Sequence, residues 1–227
     1  WLESSCSEFS FLLSCNLGEI ISILFSILFF WPVPLGATQL LWVNLITDSL
    51  PAIALGIDPG DKDVMKKKPR DPKQSFFAEG SGARAIIGGL LIGTFTLAAY
   101  FWGMNEHGYN LFSQVSKATA ESADYKTAMT YASTMAFVVL ATSQLFYSLS
   151  MRNHEKSIFK IGFFGNRFLI GSIIIGILLQ EVVISIPFLA NAFGVHNISL
   201  KDWGIVLLFS LIPLAVNELI KFFKRVI

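Results

Sequence analysis

No lysine or arginine occurs before Lys62, so the first part of this chain offers no basic arm to a polyanion. With a formal net charge of +1 over 227 residues, the whole chain argues for neither nucleic acid nor an acidic substrate. Cysteine is almost absent. Cys6 and Cys15 fall on the cytoplasmic side of, or inside, the first apolar run, which excludes a structural disulfide framework. Charged residues make up only 15% against 53% hydrophobic ones, and mean hydropathy is +0.60, values that exclude an ordinary soluble domain. No cleavable signal peptide is visible. The first apolar run is too long, lacks a basic flank and contains Asn16 and Glu19. No internal repeat is visible, although most secondary transporters are built from one.

What the chain has in quantity is apolar blocks. Six run through about 9–30, 39–57, 85–102, 128–149, 168–189 and 203–220, each near the ~20 residues a helix needs to cross the hydrocarbon core. The predicted class is an all-α membrane protein of six transmembrane helices, one membrane domain over 1–227 with a cytoplasmic loop at 58–84. All 17 Lys and Arg lie outside these blocks. Fourteen sit in loops 58–84 and 150–167 and at the C-terminus, and three (Lys117, Lys126, Lys201) in the alternate loops. The positive-inside rule therefore places both termini and the two basic loops in the cytoplasm. Trp31, Trp102 and Trp203 fall at the opposite interface, where aromatic belts form. The N-terminal stretch WLESSCSEFS has no basic residue although it should face the cytoplasm, so further sequence is expected upstream of it.

Polar residues within the blocks carry the chemistry. In LWVNLITDSLPAIALG, Asn44, Thr47 and Asp48 share one helix face. A carboxylate at membrane depth is costly unless paired and marks an ion path by default; the plainer alternative is a buried polar knot between helices. Pro51 cannot donate a hydrogen bond to the preceding turn, so the helix is expected to open near Thr47 and Asp48, freeing carbonyls for a cation. In the first block, Asn16 and Glu19 are three apart, and Gly18 permits close approach of a neighbour. The hairpin WPVPLGAT is short, so the first two spans lie antiparallel and their polar faces can meet. GGLLIG in the third block is suited to helix packing. Gln144 in the fourth is either a further oxygen donor or interhelical glue. Gln180 and Glu181 are expected in mid-membrane, and Glu181 has no evident role.

The pieces NLGE, LLWVNLITDSLPAIALGIDP and the Asp-x-Asp-x-Met-x-x-x-Pro-Arg-x-Pro loop, in that order, resemble the C-terminal half of a P-type calcium-transporting ATPase. TMAFVVLATSQLF and NELIKFF fit the same family, and the resemblance runs from about Phe9 to Arg225. It implies a C-terminal membrane bundle in which Asn16, Glu19, Asn44, Thr47 and Asp48 line the transmembrane cation site, with Gln144 as a further candidate. Ca2+ would be the transported ion. ATP and Mg2+ would act only through actuator, phosphorylation and nucleotide-binding domains that this sequence does not contain, and four family spans are also missing from it. The partners implied are those domains and spans, together with the lipid bilayer. Gln144 stands where the endoplasmic-reticulum type carries Glu, which puts a two-ion stoichiometry in question. The donor set agrees with calcium, which takes roughly six to eight oxygens, and it is expected to include no Cys or His for a softer metal. The competing classes are a self-contained six-span channel or secondary transporter and a non-catalytic regulatory subunit.

Overall fold

A backbone in hydrocarbon must satisfy its own hydrogen bonds, so apolar blocks of this length are driven into helices. The computed structural model describes residues 2–58, 81–112, 117–153 and 156–226; most of the loop assigned to 58–84 lies outside the described residues. Among them there is no strand. The elements in chain order are α1 (Leu2–Leu28), α2 (Ala37–Trp42), a π-helical turn (Val43–Thr47), α3 (Ser49–Gly56), α4 (Ser81–Glu106), α5 (Lys117–Ala120), α6 (Ala123–Met151), α7 (Ile158–Ile161), a short 3-10 turn (Phe163–Gly165), α8 (Arg167–Ser185), α9 (Pro187–Phe193) and α10 (Leu200–Val226).

Five of these helices, α1, α4, α6, α8 and α10, are continuous, long and apolar enough to cross a membrane. The second of the six blocks is not one rod. It is α2, the π turn and α3 in succession, so the six-span count becomes five unbroken spans and one interrupted span. The chain is an integral, multi-pass membrane protein.

Burial is inverted relative to a soluble bundle. Ile20, Leu41, Leu45, Ile53, Leu178 and Leu208 are exposed, whereas Glu19, Asp48, Gln144, Gln180 and Asn217 are buried, as expected where lipid is the solvent. The helix α6 is the axis, buried along nearly its whole length, and α4, α8 and α10 pack around it. Its start is capped by the Ser122 hydroxyl, which accepts the Tyr125 N–H at 3.3 Å.

Close packing comes from small residues, because lipid supplies no hydrophobic drive between helices. α1 meets α4 along a glycine seam. A Cβ on Gly89 would lie 2.8 Å from Leu17, and one on Gly93 would lie 2.8 Å from the Gly18 carbonyl. Side chains larger than hydrogen would push these helices apart. The hairpin after α1 closes through Phe30 at φ 57°, with the Trp31 N–H returning to the Ser26 carbonyl at 2.8 Å. This turn sets the interrupted span back along α1. At the far end of that span, the Asn166 amide donates to the Ala54 carbonyl at 2.8 Å, while its carbonyl oxygen caps α8 by accepting the Leu169 N–H at 2.9 Å. One side chain thus ties α8 to α3.

Candidate cation site

The interruption in the second span is the origin of the site. Pro51 has no N–H to give the Thr47 carbonyl, and upstream of it the ladder slips by one residue, with the Asp48 N–H bonding the Val43 carbonyl at 2.8 Å. The expected opening therefore takes the form of a π turn over Val43–Thr47, a widening that recurs at functional sites. It sends Thr47 and Asp48 into the interior, where both are only 1% exposed. The Ser49 hydroxyl steadies the turn by donating to the Asn44 carbonyl at 3.2 Å.

Asn44 links the two spans. Its amide donates to Glu19 Oε2 at 2.7 Å and to the Leu40 carbonyl at 3.0 Å. Glu19 is buried, and its Oε1 has no hydrogen-bond partner; the same holds for both oxygens of Asp48 and both polar atoms of the Gln144 amide. Gln144, on α6, lies beside Glu19 without reaching hydrogen-bond geometry. Four of the six residues anticipated from sequence (Glu19, Asn44, Asp48 and Gln144) thus meet at the junction of α1, the π turn and α6, and buried Thr47 adjoins them in the chain.

Asn16 does not join them in this chain. It is exposed, and its amide donates to the Leu12 carbonyl of its own helix at 2.9 Å. The residue of α1 that faces Asp48 is Cys15, which is fully buried and free of any disulfide. The signal was present in the sequence: Cys15, Glu19, Ser22 and Ser26 recur at helical spacing, and all four are buried.

Buried polar atoms in folded proteins are nearly always paired, so a cluster of orphaned oxygens calls for an explanation. Among the described residues no three His, Cys, Asp or Glu side chains cluster tightly enough to hold a metal by themselves. What the junction offers is two carboxylates supplemented by amide and hydroxyl oxygens, a donor chemistry that suits a hard cation such as calcium. Glu181 lies elsewhere. It sits in the last turns of α8, which ends at Ser185, exposed and accepting a hydrogen bond from the Ser185 hydroxyl at 2.9 Å.

Residues 32–223 match the family described as cation transporting ATPase, C-terminus. The chain is 51% identical over 217 residues, 95% of its length, to calcium-transporting ATPase 1 of Bacillus cereus, of which it covers 24%. It is 39% identical over 203 residues, 89% of its length, to a calcium-transporting ATPase of Bacillus subtilis, covering 21% of that protein. It is 31% identical over 224 residues, 95% of its length, to calcium-transporting ATPase 3, endoplasmic reticulum-type, of Arabidopsis thaliana, covering 22% of it. The chain thus spans under a quarter of the length of these relatives.

Proposed function

This chain belongs to the family of cation-transporting ATPase C-terminal regions, and from that membership we propose that it is the membrane half of an ATP-driven calcium pump. Glu19, Asn44, Thr47, Asp48 and Gln144 line the passage, and calcium is the cargo. The observation that carries this reading is the buried pair of Glu19 and Asp48 with three orphaned carboxylate oxygens beside a π turn. A dication between them offsets charges that would otherwise be costly at that depth. Asn16, on the outward face of α1, joins the ligand set from a surface against which the further spans of the longer relatives would pack. ATP and Mg2+ act through domains beyond this chain, so the chain alone neither hydrolyses ATP nor forms an acid-stable phosphoenzyme.

Asp48→Asn in the full-length pump should abolish calcium-dependent phosphorylation from ATP. Unchanged calcium dependence would remove Asp48 from the site. The basic loops and both termini face the cytoplasm, an orientation supported by the fourteen-to-three division of basic residues. In sealed vesicles, Lys117→Cys should be labelled from the outside and Lys68→Cys protected; the reverse pattern would invert the topology.

A further inference from the structure

We propose that the connection between α6 and α8 is a docking site for anionic phospholipid, in which Lys160 and Arg167 take the headgroup and Phe159, Phe163, Phe164 and Phe168 enter the acyl chains beside it. On the reading of this loop as cytoplasmic, the leaflet it meets is the one that carries negative surface charge.

The composition of the loop is amphipathic. Residues 156–168 hold four phenylalanines, three basic residues and no acid. Packing of the bundle uses little of this apolar surface. Ile158 turns inward and is buried, whereas Phe159 is 86% exposed, Phe164 74% and Phe168 73%. Nor does the exposure come from a loosely attached loop, because its backbone is held at three places. The Ile158 N–H and the Ser157 hydroxyl donate to Glu218 at 3.0 and 2.6 Å, the Gly162 carbonyl accepts from Arg152 at 2.9 Å, and the Asn166 amide reaches the Ala54 carbonyl at 2.8 Å. Gly162, at φ 89°, makes the reversal between α7 and the 3-10 turn. These tethers fix a surface that turns its aromatic rings away from the protein.

Two further observations identify what covers it. The apolar spans of α6 and α8 end at Met151 and Arg167, so the loop lies at the membrane boundary. Its phenylalanines run on into the exposed stripe of α8, where Phe168, Ile175, Leu178 and Val182 recur at helical spacing. Large apolar side chains at that level are stable when sunk among acyl chains and costly in water. Lys160 and Arg167 are exposed, and neither has an acidic partner among the described residues. A phospholipid brings both complements at once, phosphate for the cations and chains for the rings. Arginine can bond two phosphate oxygens, and lysine adds a point charge. A zwitterionic headgroup cancels its own phosphate with an ammonium, so the anionic lipid gains more from the pair.

The test uses the full-length pump, purified and reconstituted in vesicles of phosphatidylcholine and phosphatidylglycerol in equal parts. Phe164→Trp puts a fluorophore on the surface, read as the difference from the parent, and bromine is placed on the chains of one lipid or the other as quencher. The preference for phosphatidylglycerol, taken from the two quenching curves, should be about fivefold or more, the worth of one basic residue near an anionic surface. High salt should shrink it. Lys160→Gln with Arg167→Gln should bring the preference near one, whereas Arg167→Lys should retain most of it. Equal quenching by the two lipids in the parent reporter, or a preference unmoved by the double substitution, would overturn the proposal. Absence of quenching by either lipid would also overturn it and would mean that protein covers this surface. Both leaflets of these vesicles carry the anionic lipid, so the measured preference does not depend on which way the loop faces. The orientation fails separately, by the cysteine labelling, and the calcium site by the phosphorylation of Asp48→Asn.

Discussion

Two buried carboxylate clusters in this molecule have opposite hydrogen-bond status. At the basic end, Glu218 of α10 is saturated. Its Oε1 accepts from the Ser150 hydroxyl and from Lys221, and its Oε2 accepts from the Ser157 hydroxyl at 2.6 Å and the Ile158 N–H at 3.0 Å. Asn217 adds a bond to the Ser150 hydroxyl at 2.8 Å. Nearby, Asp58 receives Arg152 Nε at 2.7 Å, and Arg152 also donates to the Gly162 carbonyl at 2.9 Å. In the middle of the bundle, Glu19 accepts one bond from Asn44 and Asp48 accepts none. The first cluster binds α6, α7 and α10 into one unit. The second has ligand capacity left over. Complete satisfaction identifies a structural joint, and incomplete satisfaction of buried carboxylates identifies a place where something else is meant to bind.

The contrast predicts that function and stability separate between the clusters. Glu19→Gln combined with Asp48→Asn should remove calcium-dependent phosphorylation of the full-length pump entirely, yet leave its thermal unfolding in detergent no lower than that of the parent, since the three carboxylate oxygens involved hold no other element in place. A clear fall in melting temperature would make this cluster a structural joint as well.

Glu218→Ala should do the reverse. It removes the carboxylate partner of buried Lys221, which keeps only the Ser150 carbonyl, and leaves the Ser150 and Ser157 hydroxyls and the Ile158 N–H without that acceptor, a loss of about 3–5 kcal/mol in unfolding free energy. Replacing both residues, Glu218→Leu with Lys221→Met, should recover most of that loss. Failure to recover would mean the network contributes more than its charge balance.

Gln144 sharpens the comparison from the other side. It supplies an oxygen but no charge, so the pump should bind one calcium tightly, or two of clearly unequal affinity. Gln144→Glu should raise the weaker affinity by about tenfold, equivalent to ~1.4 kcal/mol, in equilibrium binding of labelled calcium. Two equivalent tight sites in the unmodified pump would show the charge argument to be wrong.

The smallest effect is expected at Asn166, which caps α8 and holds α3. Asn166→Ala should cost about 1–2 kcal/mol in stability without altering calcium affinity, because it touches only the end of the interrupted span. A changed affinity would show that the α3–α8 tie sets the position of Asp48.

Much of this architecture was legible in the residues. The length of each apolar block dictated a helix, since hydrocarbon leaves the backbone no other partner. The carboxylates within the blocks could be named because charge is so rare there. Pro51 announced a broken span by its missing donor. The glycines of the third block announced a close helix contact, and α1 makes it.

The facing of α1 was harder to read. Asn16 and Glu19 are about 60° apart around a helix, and Cys15 and Glu19 about 40°, so spacing from Glu19 nearly permits either neighbour. In a soluble helix the apolar stripe would resolve the choice, but a span is apolar on all sides and its moment says little. Only the docking of the interrupted span against α1 turned Cys15 inward and left Asn16 on the outside.

The form of the break was likewise a tertiary outcome. Pro51 determines that a bond is missing, while the slip of Asp48 onto the Val43 carbonyl depends on where Asn44 and Ser49 find partners. The saturated joint around Glu218 joins residues sixty or more positions apart, a distance at which sequence spacing carries no geometric information. By itself, then, the sequence determined which segments cross the membrane and which charges go with them, because the bilayer acts on each segment separately. Which of those charges are satisfied and which stay open was decided by packing, because a hydrogen bond needs its partner in place.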